Sequence, residues 1–118
     1  ILGVNLSGLL EGLILGEKGG LDIKQMLDIL MTGAAFSRVM EFKYELLTGR
    51  DFGGEGLQGS TELIMKDMRY ALQTGGETGV PLPYISLTLQ DMISSGAQGN
   101  LNKDYSALLE VLESRAGL

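Results

Sequence analysis

The sequence predicts an all-α fold, a single domain of six helices. Apolar residues recur three and four positions apart along almost the whole chain, which is the spacing that lines one face of a helix. Capping residues and Gly or Pro breaks interrupt that pattern at intervals typical of helix lengths. No segment alternates apolar and polar residues for long, and Val80-Pro81-Leu82-Pro83 is too broken for a strand.

The first helix carries Leu2, Leu6, Leu9, Leu10, Leu13 and Ile14 at helical spacing, and Ile1, Val4 and Leu15 widen the stripe. A helix apolar nearly all round is predicted to be surrounded by others. Lys18, Gly19 and Gly20 end it. Gly3, Gly8, Gly12 and Gly16 lie inside it, each costing about 1 kcal/mol relative to Ala. That cost predicts neighbouring helices in close approach. Asp22 caps the second helix, with Gln25 three residues on, and Ile23, Met26, Leu27, Leu30 and Met31 form its apolar face up to Gly33. The third helix is expected from Phe36 to Leu47, closed by Thr48-Gly49. A Gly-rich loop, Arg50 to Gly59, follows. Ser60 or Thr61 caps the fourth helix, with Leu63, Ile64, Met68, Ala71 and Leu72 inward and an end near Gly75-Gly76. The fifth covers Pro83 to Ser95, with Pro at its start. A turn spans Gly96 to Asn102, and Asp104 caps a last helix running to Arg115.

Composition excludes several classes of chemistry. The 118 residues contain no Cys and no His, which removes disulfides, thiolate metal sites and the Ser-His-Asp and Cys-His arrangements. Proton chemistry would fall to Lys, Asp, Glu or Tyr. A net charge of −6 argues against a nucleic-acid partner. The apolar start is too short to cross a membrane and carries Asn5, Ser7 and Glu11. Lack of Cys and of a targeting segment makes the cytoplasm the expected compartment. The chain begins without Met in the middle of an apolar run, which predicts residues before Ile1 and a longer parent protein.

Few constellations could carry chemistry. Gly54-Glu55-Gly56-Leu57-Gln58-Gly59 spells G-x-G-x-x-G, but a helix rather than a strand precedes it, so it reads as a Gly-rich loop and not a dinucleotide fingerprint. Lys66 stands four residues after Glu62 and four before Tyr70, the spacing of a surface ion pair. The six methionines sit at helical spacing and read as core filler. Glu41, Glu45, Asp51, Glu55, Glu62 and Asp67 have no metal-ligand spacing.

A series of short segments then points to a family. They are Glu11 to Asp22 (EGLILGEKGGLD), Gly33-Ala34-Ala35-Phe36-Ser37, Arg50-Asp51-Phe52, Leu63-Ile64-Met65-Lys66-Asp67-Met68, Gly79-Val80-Pro81-Leu82-Pro83 and Asp104-Tyr105-Ser106-Ala107-Leu108. In this order they resemble the C-terminal helical domain of the β-hydroxyacid dehydrogenase family. That family includes 3-hydroxyisobutyrate dehydrogenase, tartronate semialdehyde reductase and glyoxylate/succinic semialdehyde reductases, and is related to 6-phosphogluconate dehydrogenase. The resemblance implies an N-terminal Rossmann domain absent from this chain, NAD or NADP in the full-length protein, a small hydroxyacid substrate and a homodimer. It implies that the family's catalytic Lys, in a Lys-x-x-Asn-Asn motif, precedes Ile1, so residues 1–118 alone are expected to be inert and to bind no cofactor. It makes Lys66 a cofactor-binding residue near the nicotinamide, against the surface-pair reading, and Asp67 a substrate-side support. Gly59 stands where the family often has an aromatic residue, and the loop before it is about three residues longer. A non-catalytic oligomerisation module built on the same fold is the alternative.

Overall fold

The computed structural model describes residues 1–54 and 56–118, so Glu55 of the Gly-rich motif lies outside the described residues. The elements are α1 (Leu2–Lys18), α2 (Ile23–Leu30), α3 (Arg38–Gly49), α4 (Thr61–Thr78), α5 (Pro83–Ser95) and α6 (Leu108–Ala116), with a wide turn at Gly96–Asn100 and a 3₁₀ turn at Tyr105–Ala107. Among the described residues there is no strand, only one isolated bridge between Ser60 and Asp104, and no helix long and apolar enough to cross a membrane.

α1 is the spine. It packs on α2, α3, α5 and α6, and Leu6, Leu10 and Leu13 are fully buried against them. The envelope is nevertheless open on one side. Leu15 is 78 % exposed, and Asn5, Gly8 and Gly12 share that uncovered face. The expectation of a fully surrounded helix is corrected accordingly. The glycines divide in the same way. A Cβ on Gly3 would collide with Met68 Cε, and one on Gly16 with Met26 Sδ, so these two admit close neighbours; Gly8 and Gly12 have nothing within 4 Å.

Caps follow the local sequence. Asp22 accepts from the Gln25 N–H at 2.9 Å, and Ser60 from the Leu63 N–H at 3.2 Å. Ser37, accepting from the Met40 N–H, moves the start of α3 from Phe36 to Arg38. Lys18 reaches across to α6, where its ammonium donates to the carbonyls of Ala116 (2.7 Å) and Gly117 (3.2 Å). Met40, Met65, Met68 and Met92 are buried core residues, as expected.

Two boundaries and one helix face differ from expectation. α4 does not end at Gly75-Gly76 but continues to Thr78, where Gly79 takes φ +72°. Gly75 permits this because the connector folds back onto it. Val80 N–H donates to the Gly75 carbonyl at 2.8 Å, and a Cβ on Gly75 would lie 2.8 Å from the Val80 carbonyl oxygen. On α4, Leu63 points outward and is 45 % exposed, while Met65 takes the inward place. Asp104 caps the 3₁₀ turn that leads into α6 rather than α6 itself.

Gly75→Ala should destabilise the chain by about 1–3 kcal/mol, because backbone rather than a flexible side chain must yield. Gly76→Ala, with nothing within 4 Å, should stabilise it by about 0.5–1 kcal/mol. Urea unfolding of both variants checks the contrast.

Candidate functional site

Lys43 lies on the buried face of α3 with Val39, Met40, Leu46 and Leu47, and is itself 1 % exposed. An ammonium cannot stay charged in such surroundings without a partner. Asp104, fully buried, supplies one: Lys43 Nζ donates to its Oδ2 at 2.8 Å. The same oxygen accepts from the Gln58 N–H at 2.9 Å, while Oδ1 accepts from the Ser106 N–H at 3.0 Å and the Ser106 hydroxyl at 2.7 Å. Four donors thus surround one carboxylate, which offsets its desolvation.

This ion pair knots three segments. Asp104 N–H donates to the Phe52 carbonyl at 2.8 Å, and Tyr105 N–H to the Gly59 carbonyl at 3.1 Å, so the loop after α3 is stitched to the turn before α6. Thr61 and Glu62, at the start of α4, donate to the carbonyls of Lys103 and Leu101. The α4 N-terminus is therefore held by backbone as well as by Ser60.

A groove of about 440 Å³ opens above the knot, walled by Leu2, Phe42, Leu63, Ile64, Asp67 and Tyr105 and floored by Lys43, Gln58 and Gly59. Its walls come from α1, α3, α4 and the 3₁₀ turn, and they are mostly apolar. Asp67 also lines a second cleft beside Ile1, Gly3 and Val4 at the start of α1. Lys66 is half exposed. Its ammonium lies 3.1 Å from Asp67 Oδ1 and 5.9 Å from the Tyr70 ring centroid. The expected pairing with Glu62 is replaced by one with Asp67. Asp67 thus lines the groove, and Lys66, which does not line it, stands beside Asp67. No group of His, Cys, Asp and Glu capable of holding a metal occurs among the described residues.

Two residues of the site escaped the sequence reading, Lys43 and Tyr105. The first left a signal: a Lys at the third place of the apolar series Val39, Met40, Lys43, Leu46, Leu47 breaks the stripe where a core residue is due. Tyr105 was visible only as part of a motif. Its ring is 3 % exposed, the Lys43 ammonium lies 4.2 Å from its centroid, and burial, then the charge of Asp104, pushes its phenol from 10.0 up to about 12.

Fold and groove define a helical domain with an apolar groove, lined by Asp67, near the start of its central helix. Residues 1–112 match the family described as NAD-binding of NADP-dependent 3-hydroxyisobutyrate dehydrogenase, and the chain belongs to that family. It is 34 % identical over 120 residues to 2-(hydroxymethyl)glutarate dehydrogenase of Eubacterium barkeri, covering 100 % of this chain and 38 % of that protein. It is 32 % identical to 2-hydroxy-3-oxopropionate reductase of Escherichia coli, covering 96 % and 38 %. The fold is that of a crystal structure of 3-hydroxyisobutyrate dehydrogenase from Salmonella typhimurium, with a TM-score of 0.86 at 22 % identity over 93 % of this chain and 38 % of that one. The chain spans little more than a third of these relatives.

Lys43→Met leaves a buried carboxylate without its cation and should cost about 3–5 kcal/mol in urea unfolding. Lys43→Met with Asp104→Asn should recover part of that loss. A second measurement follows from the raised phenol. Its folded pKa, about 12, exceeds its ordinary 10.0. As pH rises from 10 to 12 the unfolded chain loses this proton first, so stability falls across that window. Tyr105→Phe should flatten this part of the alkaline stability profile.

Proposed function

We propose that the full-length protein is an NAD(P)-dependent oxidoreductase acting on a β-hydroxyacid or short semialdehyde, and that this chain forms the helical half of its cleft. The observation that carries the reading is Asp67 on the wall of an apolar groove, with the Lys66 ammonium 3.1 Å from its Oδ1. The cofactor, once bound, supplies hydride exchange with the hydroxyl-bearing or carbonyl carbon. The residues present suit it. The Lys66 ammonium has three donors for a ribose hydroxyl or a carboxamide and adds positive charge beside a substrate carboxylate. Asp67 holds that ammonium and supports the substrate side. Leu63, Ile64 and Phe42 offer apolar surface to a flat ring and keep water out.

The proton is assigned to the family lysine upstream of Ile1. Leu2 walls the groove, and each earlier helical turn would rise about 5.4 Å further along the same axis. In this reading the domain does not turn over without that residue. A homodimer belongs to the same reading. Leu15 at 78 %, Ile29 at 72 % and Leu21 at 59 % exposed surround an almost wholly apolar hollow between α1 and α2. That surface equally favours the second reading, an oligomerisation module without turnover. The sequence before Ile1 separates the two: a Lys followed by an Asn pair belongs to the enzyme, and its replacement to the module.

In the full-length protein, Lys66→Ala should weaken NAD(P)H binding about tenfold by isothermal titration, the loss of one hydrogen bond to a charged donor. Unchanged affinity returns Lys66 to a surface ion pair. Light scattering on the same preparation should give a dimer mass.

A further inference from the structure

Asp67 lines the groove with Lys66 beside it, and neither explains what recognises a ligand deeper inside. Tyr105 is there. Its side chain is 3 % exposed and walls the groove. Its hydroxyl has no hydrogen-bond partner among the described residues. Among the described residues the sealed side-chain atoms without partners are Ser7 Oγ and Glu17 Oε2. The phenol oxygen is not one of them, and the open space that this side chain borders is the groove.

The ring is also held in place. Behind it, the Lys43 ammonium lies 4.2 Å from the centroid. Its own N–H is bound to the Gly59 carbonyl at 3.1 Å, and the preceding residue is Asp104, fixed by four donors. Gly59 has φ +139°, which suits glycine, and a Cβ there would begin 3.7 Å from Tyr105 Cδ1 and Cε1. The absence of a side chain at this position keeps the phenol's flank open. A phenol at the groove wall can exchange groove water for a ligand oxygen. Because the ring is already ordered, little freedom is lost when it binds.

We propose that Tyr105 is a substrate-contact residue: its phenol O–H donates to a carboxylate or carbonyl oxygen of a small hydroxyacid or semialdehyde in the groove. Burial keeps the phenol protonated well above neutral pH, so it remains a donor there. The substrate class rests on the dehydrogenase reading, whereas the donor role rests on the geometry of the groove.

The test uses the full-length protein, with 3-hydroxyisobutyrate and succinic semialdehyde as probes. Tyr105→Phe keeps the ring and removes only the unpaired hydroxyl, so it should fold with an unchanged melting temperature. It should raise the KM for the organic probe about tenfold and leave the KM for the nicotinamide cofactor unchanged. An active enzyme whose probe KM does not move overturns the proposal. A second readout needs no turnover. In protein labelled with fluorotyrosine, the fluorine resonance that Tyr105→Phe deletes should shift when a probe is added. A shift without hydride transfer keeps the donor and removes the dehydrogenase reading. No shift with either probe at tens of millimolar overturns the donor role, whether or not the protein turns over.

Discussion

The architecture around the groove depends on one buried ion pair. Lys43 and Asp104 are 61 positions apart and meet at 2.8 Å in a site closed to water. In that setting each charge would be untenable alone, so neither segment can leave without stranding the other. The constraint reaches well past two side chains. Asp104 also gathers Gln58 from the Gly-rich loop and Ser106 from the turn before α6, and its own N–H is tied to Phe52. Phe52, Gln58 and Gly59, from the glycine-rich segment, are thereby held against the turn before α6. The net stability from such a pair is modest relative to a well-packed apolar substitute. Its value here is positional, because it sets where Gly59, Tyr105 and the start of α4 stand relative to one another.

That position creates the groove. With the α4 N-terminus fixed by the backbone of Leu101 and Lys103, Leu63, Ile64 and Asp67 line up along one edge, with Lys66 paired to Asp67. The start of α1 supplies another edge through Leu2. Gly3 allows this approach, since any larger residue would meet Met68. The result is an apolar trough with its polar groups confined to a few places, the usual form of a site that orients a small ligand. The opposite end of α1 is organised differently. Arg50, in a left-handed conformation at φ 54°, pairs with Glu113 and lies 3.7 Å from Glu17. Together with Lys18 on the α6 carbonyls, it closes that end of the bundle.

Much of this was legible from the residues. Helix signals are local: Asp22 and Ser60 cap within three residues, Pro83 begins α5, and Lys18-Gly19 closes α1. Those interactions act over a single turn, so their pattern survives in the linear order. The boundary that misled, Gly75-Gly76, did so because glycine ordinarily weakens a helix. Here it serves a contact with Val80 and Leu82 that only the folded connector makes. Likewise the apolar stripe of α1 indicated burial without indicating which side would be left open.

The order of the residues was enough for the six helices, their caps, the absence of His and Cys chemistry, and a family resemblance that the comparisons bear out. All of these are properties of neighbouring residues or of short ordered segments. Only the folded chain decided that Lys66 pairs with Asp67, that Lys43 is buried, and that Tyr105 walls a cleft. Those facts concern side chains brought together from α1, α3, α4 and the turn before α6. Their meeting depends on how helices stack and on which charges burial forces into contact, and no local pattern encodes either.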